Sequence, residues 1–109
     1  MATTYKVLAQ LAPSATTATT LYTVPAATST IVSTITVCNR AATSATYRIA
    51  IRIAGGTLAN EDYIAYDVVI AANDTTALTL GVTLAATDVI TVYASTANFS
   101  FNVFGSEIS

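Results

Sequence analysis

Charge is scarce in this chain. Aspartate, glutamate, lysine and arginine make up 9% of its 109 residues, against about a quarter in ordinary soluble domains. Histidine and tryptophan are absent, and there are one cysteine, two prolines and four glycines. The missing histidine removes the side chain that most often moves protons near neutral pH. A serine nucleophile would have only carboxylates and Lys6 as bases, and no Gly-x-Ser-x-Gly elbow occurs. Cys38, in the run Ile35-Thr36-Val37-Cys38, closes no internal disulfide and reads as a buried strand-interior thiol. No stretch approaches the roughly 18 apolar residues that cross a bilayer as a helix. The start Met1-Ala2-Thr3-Thr4-Tyr5-Lys6 lacks the layout of a secretory signal. These absences point away from enzymes, cofactors and membranes.

The net charge is −2, and Lys6, Arg40, Arg48 and Arg52 are the only cations. Four scattered cations cannot lay down the basic stripe that phosphate-backbone binding requires, so no direct nucleic-acid partner is expected. Mean hydropathy is +0.61 without a membrane segment. Alanine and threonine supply about two-fifths of the residues. A monomer of this balance exposes much aliphatic surface, the usual mark of a docking site. A homo-oligomer or a place in a larger particle relieves it.

The periodicity is two nearly everywhere, which predicts strands. Tyr47, Ile49, Ile51 and Ile53 alternate with Arg48, Ala50 and Arg52, which assigns Ile51 and Ile53 to the core. Leu78, Leu80, Val82 and Leu84 alternate with Thr79, Gly81 and Thr83, and Ile31, Ile35 and Val37 share a face opposite Thr34 and Thr36. Further strands read at Tyr5 to Leu11, Thr20 to Val24, Tyr63 to Ile70, Val89 to Ser95 and Phe99 to Phe104, about eight in all. Threonine takes the solvent-side positions where lysine and glutamate usually stand.

Turn residues separate these runs: Pro13-Ser14, Pro25-Ala26-Ala27, Asn39-Arg40, Gly55-Gly56, Asn73-Asp74, Thr87-Asp88 and Ala97-Asn98. A spacing of roughly 8 to 12 residues between turn signals suits an antiparallel β-sandwich, jelly-roll or immunoglobulin-like, formed by residues 1–109 as one domain. Ile70-Ala71-Ala72-Asn73-Asp74 and Leu84-Ala85-Ala86-Thr87-Asp88 echo one another, which predicts two similar turns with the aspartate accepting backbone N–H bonds. The stretch from Ala12 to Thr20 lacks large apolar anchors and suits a crossing between sheets or an arm toward a neighbour. At most one short helical turn fits, around Leu58 to Asp62.

Arg48 and Arg52 lie four apart on one strand, so they face the same way about 13 Å from each other. With so few other charges to set register, they are the candidate interface residues, expected either to lie on a solvated face paired with the chain's own aspartates or, on the sharper reading, to meet acidic groups of an adjacent subunit. The densest oxygen cluster is Asn60-Glu61-Asp62, which reads as a solvated loop, with a calcium site as the lesser alternative. Six tyrosines are spread over several strands, and Phe99, Phe101 and Val103 share a face opposite Phe104. Core and sheet-edge packing account for them, with a tyrosine-lined sugar groove as the functional alternative. Asn73-Asp74-Thr75 and Asn98-Phe99-Ser100 match the glycosylation pattern but sit at turns that want asparagine for backbone reasons.

Four segments carry a resemblance. They are Leu21-Tyr22-Thr23-Val24-Pro25-Ala26-Ala27, Val32-Ser33-Thr34-Ile35-Thr36-Val37-Cys38-Asn39, Tyr63-Ile64-Ala65-Tyr66-Asp67, and the ending from Phe99-Ser100-Phe101 through Phe104-Gly105-Ser106-Glu107-Ile108. Together they resemble a group of small structural proteins of tailed bacteriophages. The resemblance implies a non-enzymatic β-sandwich of the virion, and it carries no site residues. The leading expectation is a capsid decoration or cement protein, trimeric, docked on the major capsid protein. A tail fibre or baseplate component in contact with tail proteins or the host is the alternative, and a carbohydrate-binding adhesion module a more distant one.

Overall fold

A computed structural model describes residues 2–109, and among these it has nine strands and no α-helix. They are β1 (Thr3–Leu11), β2 (Thr19–Thr23), β3 (Ser29–Asn39), β4 (Ala45–Arg52), β5 (Tyr63–Ile70), β6 (Thr75–Leu78), β7 (Val82–Leu84), β8 (Val89–Ala94) and β9 (Phe99–Ile108). One sheet runs β1-β9-β3-β6 with β7 also on β3, and the other runs β2-β8-β4-β5. Every pairing is antiparallel. β1 pairs with β9, β2 with β8, β3 with β6 and β7, and β4 with β5, so the chain is one long ribbon folded at β4–β5 and wound over itself. That is jelly-roll order, which excludes the immunoglobulin-like alternative. The segment from Ala12 to Ala18 does cross between sheets, and there are two 3₁₀ turns, the expected one at Asn60–Asp62 and a second, unexpected, at Ile53–Gly55.

The core forms where the alternation turns apolar residues inward. Phe99, Phe101 and Val103 of β9 and Val37 of β3 are fully buried against Ile49 and Ile90 of the other sheet. Tyr47 crosses the interlayer to meet Phe101 edge-on, with ring centroids 6.3 Å apart. At one end Asn39, fully buried, replaces an apolar residue. Its amide nitrogen donates to the carbonyls of Thr43, Ile70 and Ala71, and its Oδ1 accepts from Ala41 N–H. One side chain thereby ties the β3–β4 loop to the end of β5.

Three positions depart from the alternation, each at a break in the ladder. A register shift lies in β3 between Val32 and Thr34, so Thr30 and Val32 face inward while Ile31 is 42% exposed. Ile31 therefore does not share a face with Ile35 and Val37. The expected Leu78–Leu84 strand is two strands, because left-handed Gly81 (φ +66) separates β6 from β7 and leaves Leu80 exposed. β4 stops at Arg52, so Ile53 enters a 3₁₀ turn and is 78% exposed, and Ile51 is half-buried at the core's rim.

The predicted echo holds, and the pattern extends beyond it. Asp88 accepts from Ala85 N–H and Asp74 from Thr75 N–H. In four turns an alanine precedes a left-handed non-glycine residue: Ala15-Thr16, Ala26-Ala27, Ala72-Asn73 and Ala86-Thr87, with φ of 53°, 57°, 53° and 68°. Such residues cost about 1–2 kcal/mol each relative to the right-handed region.

Gly105 marks the tightest approach of backbones. A Cβ there would stand 2.1 Å from the Ile31 carbonyl oxygen and 3.0 Å from Val32 Cα, both main chain. Gly105→Ala is therefore expected to lower unfolding free energy by about 3 kcal/mol, the upper range for overpacking. Gly56→Ala, whose nearest neighbour is at 3.3 Å, is the mild control. Urea unfolding of the two variants checks this.

The same end of the sandwich holds a polar tie between layers. The Tyr22 hydroxyl donates to Glu107 Oε2, and Thr30 Oγ1 lies 2.9 Å from the tyrosine oxygen. Since the phenol's one proton goes to the carboxylate, the Thr30 hydroxyl is the donor in the second bond. Lys6 Nζ completes the group 2.7 Å from Glu107 Oε1. Bonds to Lys6 and then Tyr22 hold the Glu107 carboxyl below its usual range, while burial and then Glu107 push the Tyr22 phenol up to about 12. The signs follow by linkage. Glu107 stabilises the fold above the ordinary glutamate pKa, and that share is lost as pH falls through its lower folded value. The neutral Tyr22 phenol contributes fully below pH ~10, the free tyrosine value, and its share is lost as pH rises toward about 12. The urea midpoint should fall across that alkaline window, and Tyr22→Phe should flatten the slope.

Candidate assembly surface

The outward face of β4 presents Thr46, Arg48, Ala50 and Arg52 between β5 and β8. The structure thus places Arg48 and Arg52 on one face, as their spacing requires, and gives each a different setting.

Arg48 is held on three sides. Its Nε donates to Asp67 Oδ1 at 2.6 Å and its Nη2 to Asp67 Oδ2 at 3.3 Å. Its guanidinium carbon lies 4.2 Å from the Tyr66 ring centroid and 4.4 Å from that of Tyr93. Asp67 reaches it because β5 is irregular there. The register shifts between Tyr47 and Ile49, and Asp67 adopts left-handed φ of 51°, a conformation that aspartate tolerates better than most residues. Tyr93 sits directly opposite Arg48 in the β4–β8 register. Tyr66 in turn packs edge-on against Tyr63 at 4.9 Å. The Asp67 bonds hold the guanidinium even more firmly protonated than an ordinary arginine, against a smaller opposing effect of burial. The acid that Arg48 meets belongs to its own chain.

Arg52 organises a loop. Its Nε donates to Thr91 Oγ1 at 3.0 Å, and its Nη1 to the carbonyls of Gly55 and Gly56 at 3.3 and 3.1 Å. From the other side Asp88 accepts from Ala54 N–H and Ala85 N–H, both at 2.9 Å. These bonds fold the Ile53–Gly55 turn over β8, where Val89, Thr91 and neighbouring Ala50 are buried although they point away from the core. Gly55, at φ +69°, gives the turn its left-handed step.

Around the Arg48 stack the surface is apolar. Ile64, Tyr66 and Val69 of β5 are exposed, Val69 to 66%, as is Ile53. Arginine held between tyrosine rings, next to exposed aliphatics, matches the residue types that anchor protein interfaces. An aspartate partner for Arg48 was among the readings of the sequence, but its identity as Asp67 and the flanking Tyr66 and Tyr93 were not legible, because their convergence depends on the order β8-β4-β5 and on one left-handed residue.

The remaining candidates lie apart. Asp62 Oδ2 accepts from Ala59 N–H within the Asn60–Asp62 turn, and among the described residues no three His, Cys, Asp or Glu side chains gather. Cys38 is half-buried rather than buried. A shallow open depression of about 420 Å³ between β1 and β9 is lined by Gln10, Leu11, Ala12, Ser100, Phe101 and Asn102, without an ionisable group. No helix among the described residues is long and apolar enough to cross a membrane.

Compared with protein-family models, with curated proteins and with solved structures, the chain matches none.

Arg52→Ala should loosen the covering loop before it harms the core. The expected result is faster amide hydrogen exchange at Ala54 and Gly56, with unfolding free energy lowered by about 1–2 kcal/mol for the lost charged hydrogen bonds.

Proposed function

We propose that this chain is a non-enzymatic structural protein of a tailed-phage virion, a decoration or cement protein that binds across major capsid subunits as a homo-oligomer. The observation that carries the reading is the surface. Tyr5, Val7, Ile31, Ile53, Ile64, Tyr66, Val68, Val69 and Leu80 are all large, apolar and exposed on a domain of this size. They occur on a chain whose few charges engage its own atoms. Jelly rolls build both viral capsid and lectin domains, so the topology agrees with the reading without selecting it. The resemblance of the four segments to phage structural proteins supplies the rest.

Cementing on this reading comes from burying apolar and threonine-rich surface, at about 25 cal/mol per Å² before ordering costs. The β5 side of the four-stranded sheet, with Arg48 stacked between Tyr66 and Tyr93, is the face that docks. Arg48→Glu would place a carboxylate beside Asp67 and between the two rings, opening the stack. The variant should still fold, with a urea midpoint lowered by the loss of the ion pair and both ring contacts, yet fail to join particles.

Purified virions test the proposal. Cementing requires hundreds of copies per particle and a lower bursting temperature for particles stripped of the protein. A few to a few dozen copies would assign it to the tail, and unchanged heat stability of stripped particles would end the cement reading.

A further inference from the structure

The two sheets end in five edge strands: β1, β6 and β7 on one, β2 and β5 on the other. Four of them are blunted in the ways that discourage pairing with another chain. β6 and β7 are four and three residues long, β2 has five with a register shift, and β5 is broken by left-handed Asp67. β1 differs. It runs nine residues without proline, its register shift falls after Val7 and leaves Thr3 to Val7 regular, and its one charge, Lys6, is held by Glu107.

The hydrogen-bond phase shows which of its main-chain groups are free. Ala2 and Ser109 exchange both N–H···O bonds at 2.9 Å, so they form a reciprocal pair. Antiparallel ladders alternate, and in the same register Thr4 opposes Glu107 and Lys6 opposes Gly105 as the next reciprocal pairs. The N–H and C=O groups of Thr3, Tyr5 and Val7 therefore point away from β9, and no loop or turn bond engages them among the described residues. The side chains beside this open row are apolar. Tyr5 is 83% exposed, and Val7 stands beside Phe104 on the outer face, with Ile31 across β9.

We propose that β1 is a self-pairing edge: two copies of this chain join β1 to β1 antiparallel across a two-fold axis at Tyr5, making one continuous sheet. This contact is independent of where a particle places the protein. A strand is the occupant that matches the edge, because extended main chain presents N–H and C=O groups in the same alternation as Thr3, Tyr5 and Val7. A second copy fits by its own register. Thr3 then opposes Val7 of the partner subunit and Tyr5 opposes Tyr5 of the partner subunit, with about six main-chain bonds, two for each opposed pair. On the other face Lys6 opposes Thr4 of the partner subunit while staying on its own Glu107, so no like charges meet. Tyr5, Val7, Ile31 and Phe104 of both copies merge into one outer surface. Such a contact builds dimers, in place of the trimer favoured for a decoration protein.

Sedimentation equilibrium of the full-length protein over micromolar to millimolar concentrations tests this. A monomer–dimer equilibrium is expected. Tyr5→Pro should abolish it, because proline deletes an N–H that faces outward and leaves the β1–β9 ladder intact. Should that variant lose its fold by circular dichroism, Tyr5→Lys, which sets two ammoniums face to face, gives the same reading. In a Cys38→Ser background, Tyr5→Cys should be joined into a covalent dimer by a short thiol-reactive bifunctional cross-linker, because reciprocal pairs hold Cα atoms about 5.5 Å apart. Val69→Cys, on exposed but bulged β5, should not. A monomer at every concentration, a dimer that survives Tyr5→Lys, or cross-linking through Val69→Cys in place of Tyr5→Cys would overturn the proposal.

Discussion

The unbroken alternation of β9 is the line from which the rest of the sandwich is set. It lies between β1 and β3, its inward Phe99, Phe101 and Val103 are fully buried, and both neighbours change register beside Phe104. β3 steps over a residue at Ser33, whose hydroxyl donates to the Phe104 carbonyl, and β1 does so at Leu8. The main chains close in so far at Gly105 that a side chain has no room. Beyond that point the phase of β3 is inverted. Thr30 turns inward where its hydroxyl meets Tyr22, and Ile31 turns outward toward the face that carries Tyr5, Val7 and Phe104. One glycine thus underlies a polar tie inside and an apolar field outside.

Sequence periodicity captured what is local. The strands at Tyr47, Tyr63, Val89 and Phe99 lie where alternation placed them, and the Phe99-Phe101-Val103 face is the core. It failed at Ile31, Leu80 and Ile53, each next to a phase change or a strand end that no run of residues declares. A bulge is a relation between two strands, and single-strand patterns do not contain it. The candidate site divides the same way. That Arg48 and Arg52 share a face follows from their spacing. That one is clamped by Asp67 and two tyrosines while the other ties down a loop follows from strand order and from the left-handed turns at Asp67, Ala54 and Gly55.

Few charges also mean few free charges. Lys6 and Glu107 pair, Arg48 and Asp67 pair, Arg40 Nη2 donates to the Ala97 carbonyl, and Arg52 and Asp88 bond main chain. Little field is left to steer a distant partner, and what remains is screened within about 8 Å at physiological salt. Any partner of this molecule would then have to be recognised at contact, through aromatic rings, aliphatic patches, hydroxyls and main chain. Binding of that kind is slow to form and weakly dependent on salt.

That economy bears on how the sheet edges are protected. Natural sheets commonly guard an edge with lysine or an inward-pointing charge, and the one lysine of this chain, Lys6 on edge strand β1, is taken up by Glu107. Protection must come from backbone geometry instead, from short strands at β6 and β7, a shifted register in β2 and a left-handed aspartate in β5. At β1 the irregularity falls on the ladder with β9, where it serves the close approach at Gly105, so the outer side of the strand keeps its regular row of amides. The same packing constraint that seats the core leaves one edge open to another strand.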